Sequence, residues 1–288
     1  MKAKIKTWND LPEFSTWPAR FLSGEEVQRS KDRKQLEREY EKEKWGPLLD
    51  GLGKNGFQLR QADRCALAGC DPQPCWVNGE LKVLPALKAL LVYRQLVQQK
   101  LLPHLHNATA LVELGAGYGA IILWLAKQPA FKNLPCFAGE FAKSGRELIQ
   151  KISVSEKLSV TSGTCDFFDP NITDLKIPPG ALIFTSMSCC CLPKLPSTLF
   201  RKLSGFKPSS VVHLEPIVEH FDPSSLMGLL QQQYIAENDY NRNFLALLRA
   251  GEKSGLLKVV KNSPMVFGMN PLLPCSLLAW KPLKKGSC

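Results

Sequence analysis

Nowhere in the 288 residues do eighteen apolar side chains follow one another, so no membrane-spanning helix is expected. Residues 1–6 lack the apolar stretch of a secretory signal, which points to a cytoplasmic protein. No Cys-x-x-Cys occurs among the ten cysteines. Cys65, Cys70 and Cys75 recur every five residues with no histidine nearby, which matches no usual zinc spacing. Cys189, Cys190 and Cys191 are consecutive, a poor start for a disulfide framework. Reduced thiols and no metal are therefore expected. Arg-rich runs with interleaved aromatics are also absent, as are internal repeats and low-complexity segments.

The chain is 44% hydrophobic, enough for a sizeable core, and long enough for one large domain or a domain with an extension. The net charge of +11 favours an anionic partner: nucleic acid, a carboxylate or phosphate substrate, or an acidic peptide. The charge is spread thinly, so nucleic acid is not the favoured partner. Residues 1–80 differ in texture from the rest and read as a helical, lid-like extension. Residues 25–45 are heavily charged, with a thin apolar face of Val27, Leu36, Tyr40 and Trp45. They predict a surface helix lying over something, ended by Gly46-Pro47. A loop rich in Gly, Pro and Cys is expected over residues 51–79. Leu84, Leu87, Leu90, Leu91, Leu96, Val97 and Leu101 then form a helical stripe.

At residues 108–114 an apolar run stops at three glycines, each separated by one residue: Gly115, Gly117 and Gly119. Ile121, Ile122, Trp124 and Leu125 then begin a helical pattern. Strand, tight turn and helix start form the opening of a nucleotide-binding α/β unit. Glu113 stands two residues before the first glycine. A carboxylate there suits a ligand with a cationic group and sugar hydroxyls better than a pyrophosphate. Strand patterns at 135–140, 158–166, 181–186 and 209–215 alternate with helical ones at 142–152 and 198–203. A long helix is expected over 224–251, and a final antiparallel pair of strands at one edge, 257–260 and 276–280. That alternation predicts an α/β fold, doubly wound and mostly parallel.

The run Glu113-Leu114-Gly115-Ala116-Gly117-Tyr118-Gly119 resembles motif I of the class I methyltransferases, which use S-adenosylmethionine (SAM). The resemblance implies a Rossmann-like, seven-stranded, mostly parallel sheet with helices on both faces, here over residues 81–288. It implies SAM as cofactor, with Gly115 and Gly117 approaching its amino-acid part and Ala116, Tyr118 and Gly119 completing the turn. Glu140, at the end of the second strand of that unit, would accept the ribose hydroxyls. Asp166 would take the adenine amino group, with Phe167 on the ring face. Ser186, at the end of the fourth strand, would complete the cofactor site where that strand borders the acceptor.

Residue types alone suggest where the chemistry sits. His213 and Glu215 share one face of a central strand, where polar groups are costly without partners. His220 follows five residues later. Any of the three is a candidate general base. Tyr234, Asn238 and Asn241 fall on one helical face and suit hydrogen bonding to a polar acceptor. The Asn/Asp-Pro-Pro-Tyr run of amide and exocyclic-amine methylation is absent, and no proline precedes the cysteine trio. These features favour transfer to oxygen, hydroxyl or carboxylate, on a small-molecule or peptide acceptor. Nitrogen methylation of a protein or basic metabolite, RNA modification and a non-catalytic SAM-binding scaffold are the alternatives. The segment around Trp17 and Arg20 is expected either to cover the site or to brace the domain.

Overall fold

The computed structural model describes residues 4–13, 15–23, 31–169 and 171–283. Val27 of the expected lid helix lies outside them. The N-terminal part comprises β1 (Lys4–Lys6), α1 (Trp17–Ser23), α2 (Arg33–Glu37), α3 (Gly46–Asn55) and α4 (Leu59–Ala66). The hairpin β2 (Gln73–Val77) and β3 (Glu80–Leu84) leads into α5 (Ala86–Leu101). The alternating part runs β4 (Leu111–Leu114), α6 (Ile122–Ala126), β5 (Cys136–Glu140), α7 (Lys143–Ser155) and β6 (Val160–Thr164). It continues with β7 (Leu182–Ser186), α8 (Leu199–Gly205) and β8 (Ser210–Glu215). The chain closes with α9 (Leu226–Glu237), α10 (Phe244–Lys253), β9 (Leu257–Gly268) and β10 (Cys275–Pro282).

Among the described residues the strands form one sheet of ten, in the order β1-β3-β2-β9-β10-β8-β7-β4-β5-β6. The seven segments expected from the sequence occupy one contiguous block, β9 to β6. Five of them, β6, β5, β4, β7 and β8, are mutually parallel, and β10 is antiparallel to β8. Two expectations need correction. The sheet is larger than seven strands, with β2, β3 and β1 added antiparallel beyond β9. The β9–β10 pair is therefore internal, not an edge. A boundary at residue 80 also runs through the β2–β3 hairpin.

Strand alternation sends side chains to two cores, one on each face of the sheet. Leu111, Leu182, Phe184, Val212 and Leu214 pack with α5, α6 and α7. Val112, Leu114, Ile183 and Val211 pack with α8 and α10 on the other face. The chain leaves β4 toward β5 and later returns to pair β7 on β4's other side. That reversal is the topological switch point, where ligands of open α/β sheets bind.

Helices differ from expectation in three places. Gly46-Pro47 does not end the lid helix. Residues Arg38–Trp45 wind as a π-helix, and the Gly46 amide bonds Glu41 O. Pro47 then opens α3, where its missing N–H is harmless. The expected loop over 51–79 contains the end of α3, all of α4, and β2. The helix over 224–251 is broken over residues 238–243, where the Asn241 side-chain Oδ1 accepts from the amides of Asn243 and Phe244 at 3.2 and 2.9 Å. No helix among the described residues is long and apolar enough to cross a membrane.

Candidate active site

A cavity of about 710 Å³ opens at the carboxyl ends of β4, β5, β6 and β7. Its floor is the glycine turn. Gly115, Gly117 and Gly119 take φ values of +78°, +58° and +86°, a region that L side chains rarely adopt. The turn is also crowded. A Cβ on Gly115 would lie 2.3 Å from Ser188 Cβ. One on Gly117 would reach the Trp45 ring at 3.0 Å. Gly119 plays another part, since its side packs on Leu123 and Ile149 and it does not line the cavity.

Carboxylates surround this floor. Glu140 ends β5, and its Oε2 accepts from the Gly117 amide at 2.7 Å while Oε1 accepts from Ala142 N at 2.9 Å. Burial pushes its carboxyl up, and these amides oppose the shift. Glu113 Oε2 accepts from Ile122 N at 3.0 Å, tying strand to helix across the turn. Burial pushes this carboxyl well above the usual range. Asp166 accepts from Phe168 N at 2.9 Å and pairs with Arg33 at 2.6 Å. Phe167 lies beside it on the cavity wall, and Phe141 after Glu140 lines the wall too. Of the expected cofactor residues, Glu113, Gly115, Ala116, Gly117, Tyr118, Glu140, Asp166, Phe167 and Ser186 all line this one cavity.

The roof comes from residues 36–48. Leu36, Tyr40, Lys44, Trp45, Pro47 and Leu48 line the cavity. Glu41 holds the roof down by accepting from Ser144 N at 3.0 Å in the first turn of α7, where a negative charge suits the helix dipole. Tyr40 OH meets Cys191 Sγ at 2.9 Å, joining the roof to the turn after β7. The segment at Trp17 and Arg20 is not this roof. Trp17 packs on Tyr234 of α9 with ring centroids 4.7 Å apart, and Arg20 lies over the Trp17 ring.

The expected catalytic trio is not in the cavity. His213 is fully buried on the α8–α10 face. Its Nδ1 meets Thr185 Oγ1 at 2.9 Å, and its Nε2 accepts from Trp280 Nε1 at 3.0 Å. Burial lowers its pKa to about 3, so it stays neutral and structural. Above the ordinary histidine pKa this group costs nothing. As the pH falls toward 3 the unfolded chain takes up a proton that the fold refuses, and stability is lost. His213→Gln should flatten the fall of unfolding free energy over that range by up to about 1.4 kcal/mol per pH unit. Denaturant titrations across the range read the slope directly, and an unchanged slope would contradict the assignment.

Glu215 is buried behind the cavity. Its carboxylate accepts from the amides of Ser188, Cys189 and Cys190 at 3.1–3.2 Å. It therefore positions the turn after β7 and is not free to take a substrate proton. His220 lies outside the cavity, with Nδ1 on Ser276 Oγ at 2.8 Å. Tyr234, Asn238 and Asn241 lie outside it too. Asn238 Nδ2 donates to Tyr234 O, and Asn241 Nδ2 donates to Leu192 O at 3.0 Å. Asn241 thus braces the loop after β7 and does not line this cavity. Met269, at the end of the β9–β10 connection nearest the cavity, contributes to the wall. Among the described residues no cluster of His, Cys, Asp or Glu is arranged to hold a metal.

Sequence reasoning passed over several residues that the fold brings here. Arg94 of α5 forms a buried two-pronged pair with Asp63 of α4, at 2.7 and 2.8 Å. Arg94 Nε also donates to Ala120 O, and Tyr118 OH donates to Asp63 Oδ1. This network clamps the far side of the glycine turn. Tyr93 and Ser188 also border the cavity. No local pattern marks any of them, because each acts through a partner distant in sequence.

No protein-family model and no curated protein sequence matches the chain. Solved structures do. Magnesium protoporphyrin IX methyltransferase from Synechocystis PCC 6803, with bound SAH, superposes with a TM-score of 0.52 at 9% identity. The match covers 86% of this chain and 99% of that one. Geranyl diphosphate C-methyltransferase from Streptomyces coelicolor A3(2) gives a TM-score of 0.48 at 15% identity, over 68% of this chain and 84% of that one. Identities this low establish architecture alone. The chain has the class I methyltransferase fold, with three further antiparallel strands on one edge.

Proposed function

We propose that this chain is a SAM-dependent methyltransferase acting on a small-molecule acceptor at oxygen. The observation that carries the reading is the cradle at the switch point. Two crowded, positive-φ glycines lie flat under the cavity, and the Glu140 carboxylate is held beside them by the Gly117 amide. A Cβ at Gly115 would collide with Ser188, so only glycine lets this backbone lie against the turn after β7 at the edge of the cavity. Glu140 retains lone pairs for a ribose diol after accepting its two amides. Asp166 and Phe167 supply an acceptor and a ring face for adenine.

Gly115, Gly117, Glu140, Asp166 and Phe167 would hold SAM, which would supply an activated sulfonium methyl for transfer to the acceptor oxygen. The chain's own contribution is orientation and exclusion of water. The roof of residues 36–48 closes over the floor, anchored by Glu41 on α7 and Tyr40 on Cys191. Glu215 holds the Ser188–Cys190 turn against the glycines through three amides.

Calorimetric titration with SAM and SAH tests the reading. Glu140→Ala should weaken binding by about 1–3 kcal/mol, the loss of hydrogen bonds to a charged acceptor. Wild-type affinity in that variant would remove Glu140 from the cofactor site.

A further inference from the structure

Beyond the cofactor bed the cavity changes character. Leu67, Leu90, Met187 and Met269 form an apolar compartment, closed by Pro47 and Leu48 of α3. One polar feature interrupts it. Tyr93 OH and Ser186 Oγ are 2.6 Å apart, and both residues line the cavity. The Tyr93 ring is fixed face to face on Phe267, with centroids 5.3 Å apart. Ser186 ends β7, the strand paired with β4 as it enters the glycine turn. The hydroxyl pair therefore stands where apolar compartment and cofactor bed meet. Tyr93 OH also bonds the Cys275 thiol, so what the hydroxyl pair offers an incoming group is its free lone pairs, which accept from a hydroxyl donor.

Each charged side chain on the cavity wall is already engaged. Lys44 pairs with Glu39 at 2.7 Å and Glu43 with Arg38 at 2.8 Å. Asp166 holds Arg33, while Glu113 and Glu140 accept backbone amides. Arg94, the nearest buried cation to the turn, is spent on Asp63. A carboxylate or phosphate entering the apolar compartment would lose its hydration and meet no free cation.

We propose that this compartment selects a neutral, apolar small molecule bearing one hydroxyl, which is held at the Tyr93–Ser186 pair. The overall charge of the chain does not extend to it, so anionic acceptors are excluded. The proposal rests on the SAM reading, because the compartment adjoins that cofactor bed.

The probes are 2-naphthol and 2-naphthoate, which share a ring system and differ in charge. Each is titrated into the full chain saturated with SAH. 2-Naphthol should bind at least about tenfold more tightly than 2-naphthoate, given the cost of an unpaired buried carboxylate. Tyr93→Phe, which keeps the stacked ring, and Ser186→Ala should each weaken 2-naphthol by about two- to tenfold, the range for a neutral hydrogen bond. Tyr93→Phe should keep wild-type SAH affinity, which also shows that it is folded; for Ser186→Ala, which borders the cofactor bed as well, circular dichroism shows the fold. Three results overturn the proposal while leaving the cofactor reading intact: equal or tighter 2-naphthoate binding, no binding of either probe to the SAH-loaded chain, or unchanged 2-naphthol affinity in both variants. Absence of SAH binding overturns both.

Discussion

Gly115→Val should abolish cofactor binding while most of the fold survives. The φ of +78° costs an L residue about 1–2 kcal/mol. The larger effect is collision. The new Cβ would lie 2.3 Å from Ser188 Cβ, and Ser188 has nowhere to go. Its Oγ donates to Leu114 O at 3.0 Å, and its amide donates to Glu215. The floor must therefore lift, or the turn after β7 must open. Either change disrupts the cradle, and SAH affinity should fall by at least about a hundredfold, the scale of a lost multi-contact site. Calorimetry on the variant, with circular dichroism to show a folded chain, measures this. Gly205→Ala is the control, since no atom lies within 4 Å of the added methyl. Wild-type affinity in Gly115→Val would show that the cradle holds no ligand.

The second large effect lies one layer beneath the site. Arg94→Met should destabilise the protein by about 3–5 kcal/mol, because it leaves the Asp63 carboxylate buried without its cation. Among the described residues Asp63 would keep only the Tyr118 hydroxyl as a hydrogen-bond donor to its carboxylate. The pair also carries the glycine turn, through Arg94 Nε on Ala120 O and through Tyr118. Stability and cofactor affinity should therefore fall together. The double variant Asp63→Leu with Arg94→Met should recover much of the stability, since no charge is stranded. Chemical denaturation of the two single variants and the double variant gives the coupling directly. A loss below about 1 kcal/mol in Arg94→Met would mean that the pair is a minor brace.

These two experiments probe opposite kinds of information. Gly115, Gly117 and Glu140 were legible because spacing in one short stretch predicts a strand, a turn and an acidic residue on the next strand. The order of β4 to β8 was legible for the same reason, since each strand and helix carries its own hydrophobic period. The β2–β3 hairpin was missed although Asn78-Gly79, with φ values of +52° and +85°, is a strong two-residue hairpin signal. Proline and cysteine in Gln73–Val77 hid the strand before it. The break between α9 and α10 was also readable in principle, from the asparagines at 238, 241 and 243.

His213 shows where local reading fails. A polar residue in a central strand is either functional or satisfied, and only its neighbours tell which. Thr185 and Trp280 satisfy both ring nitrogens. Glu215 is similar, with three amides consuming its carboxylate. By itself the sequence determined the glycine turn, the acidic residue beside it and the parallel half of the sheet, because these follow from backbone conformation and short-range periodicity. Tertiary structure alone decided the antiparallel extension, what the expected covering segment lies over and the Tyr93–Ser186 pair. Those depend on strand edges and side chains meeting across long stretches of chain, and no local pattern encodes which distant partner satisfies a buried polar group.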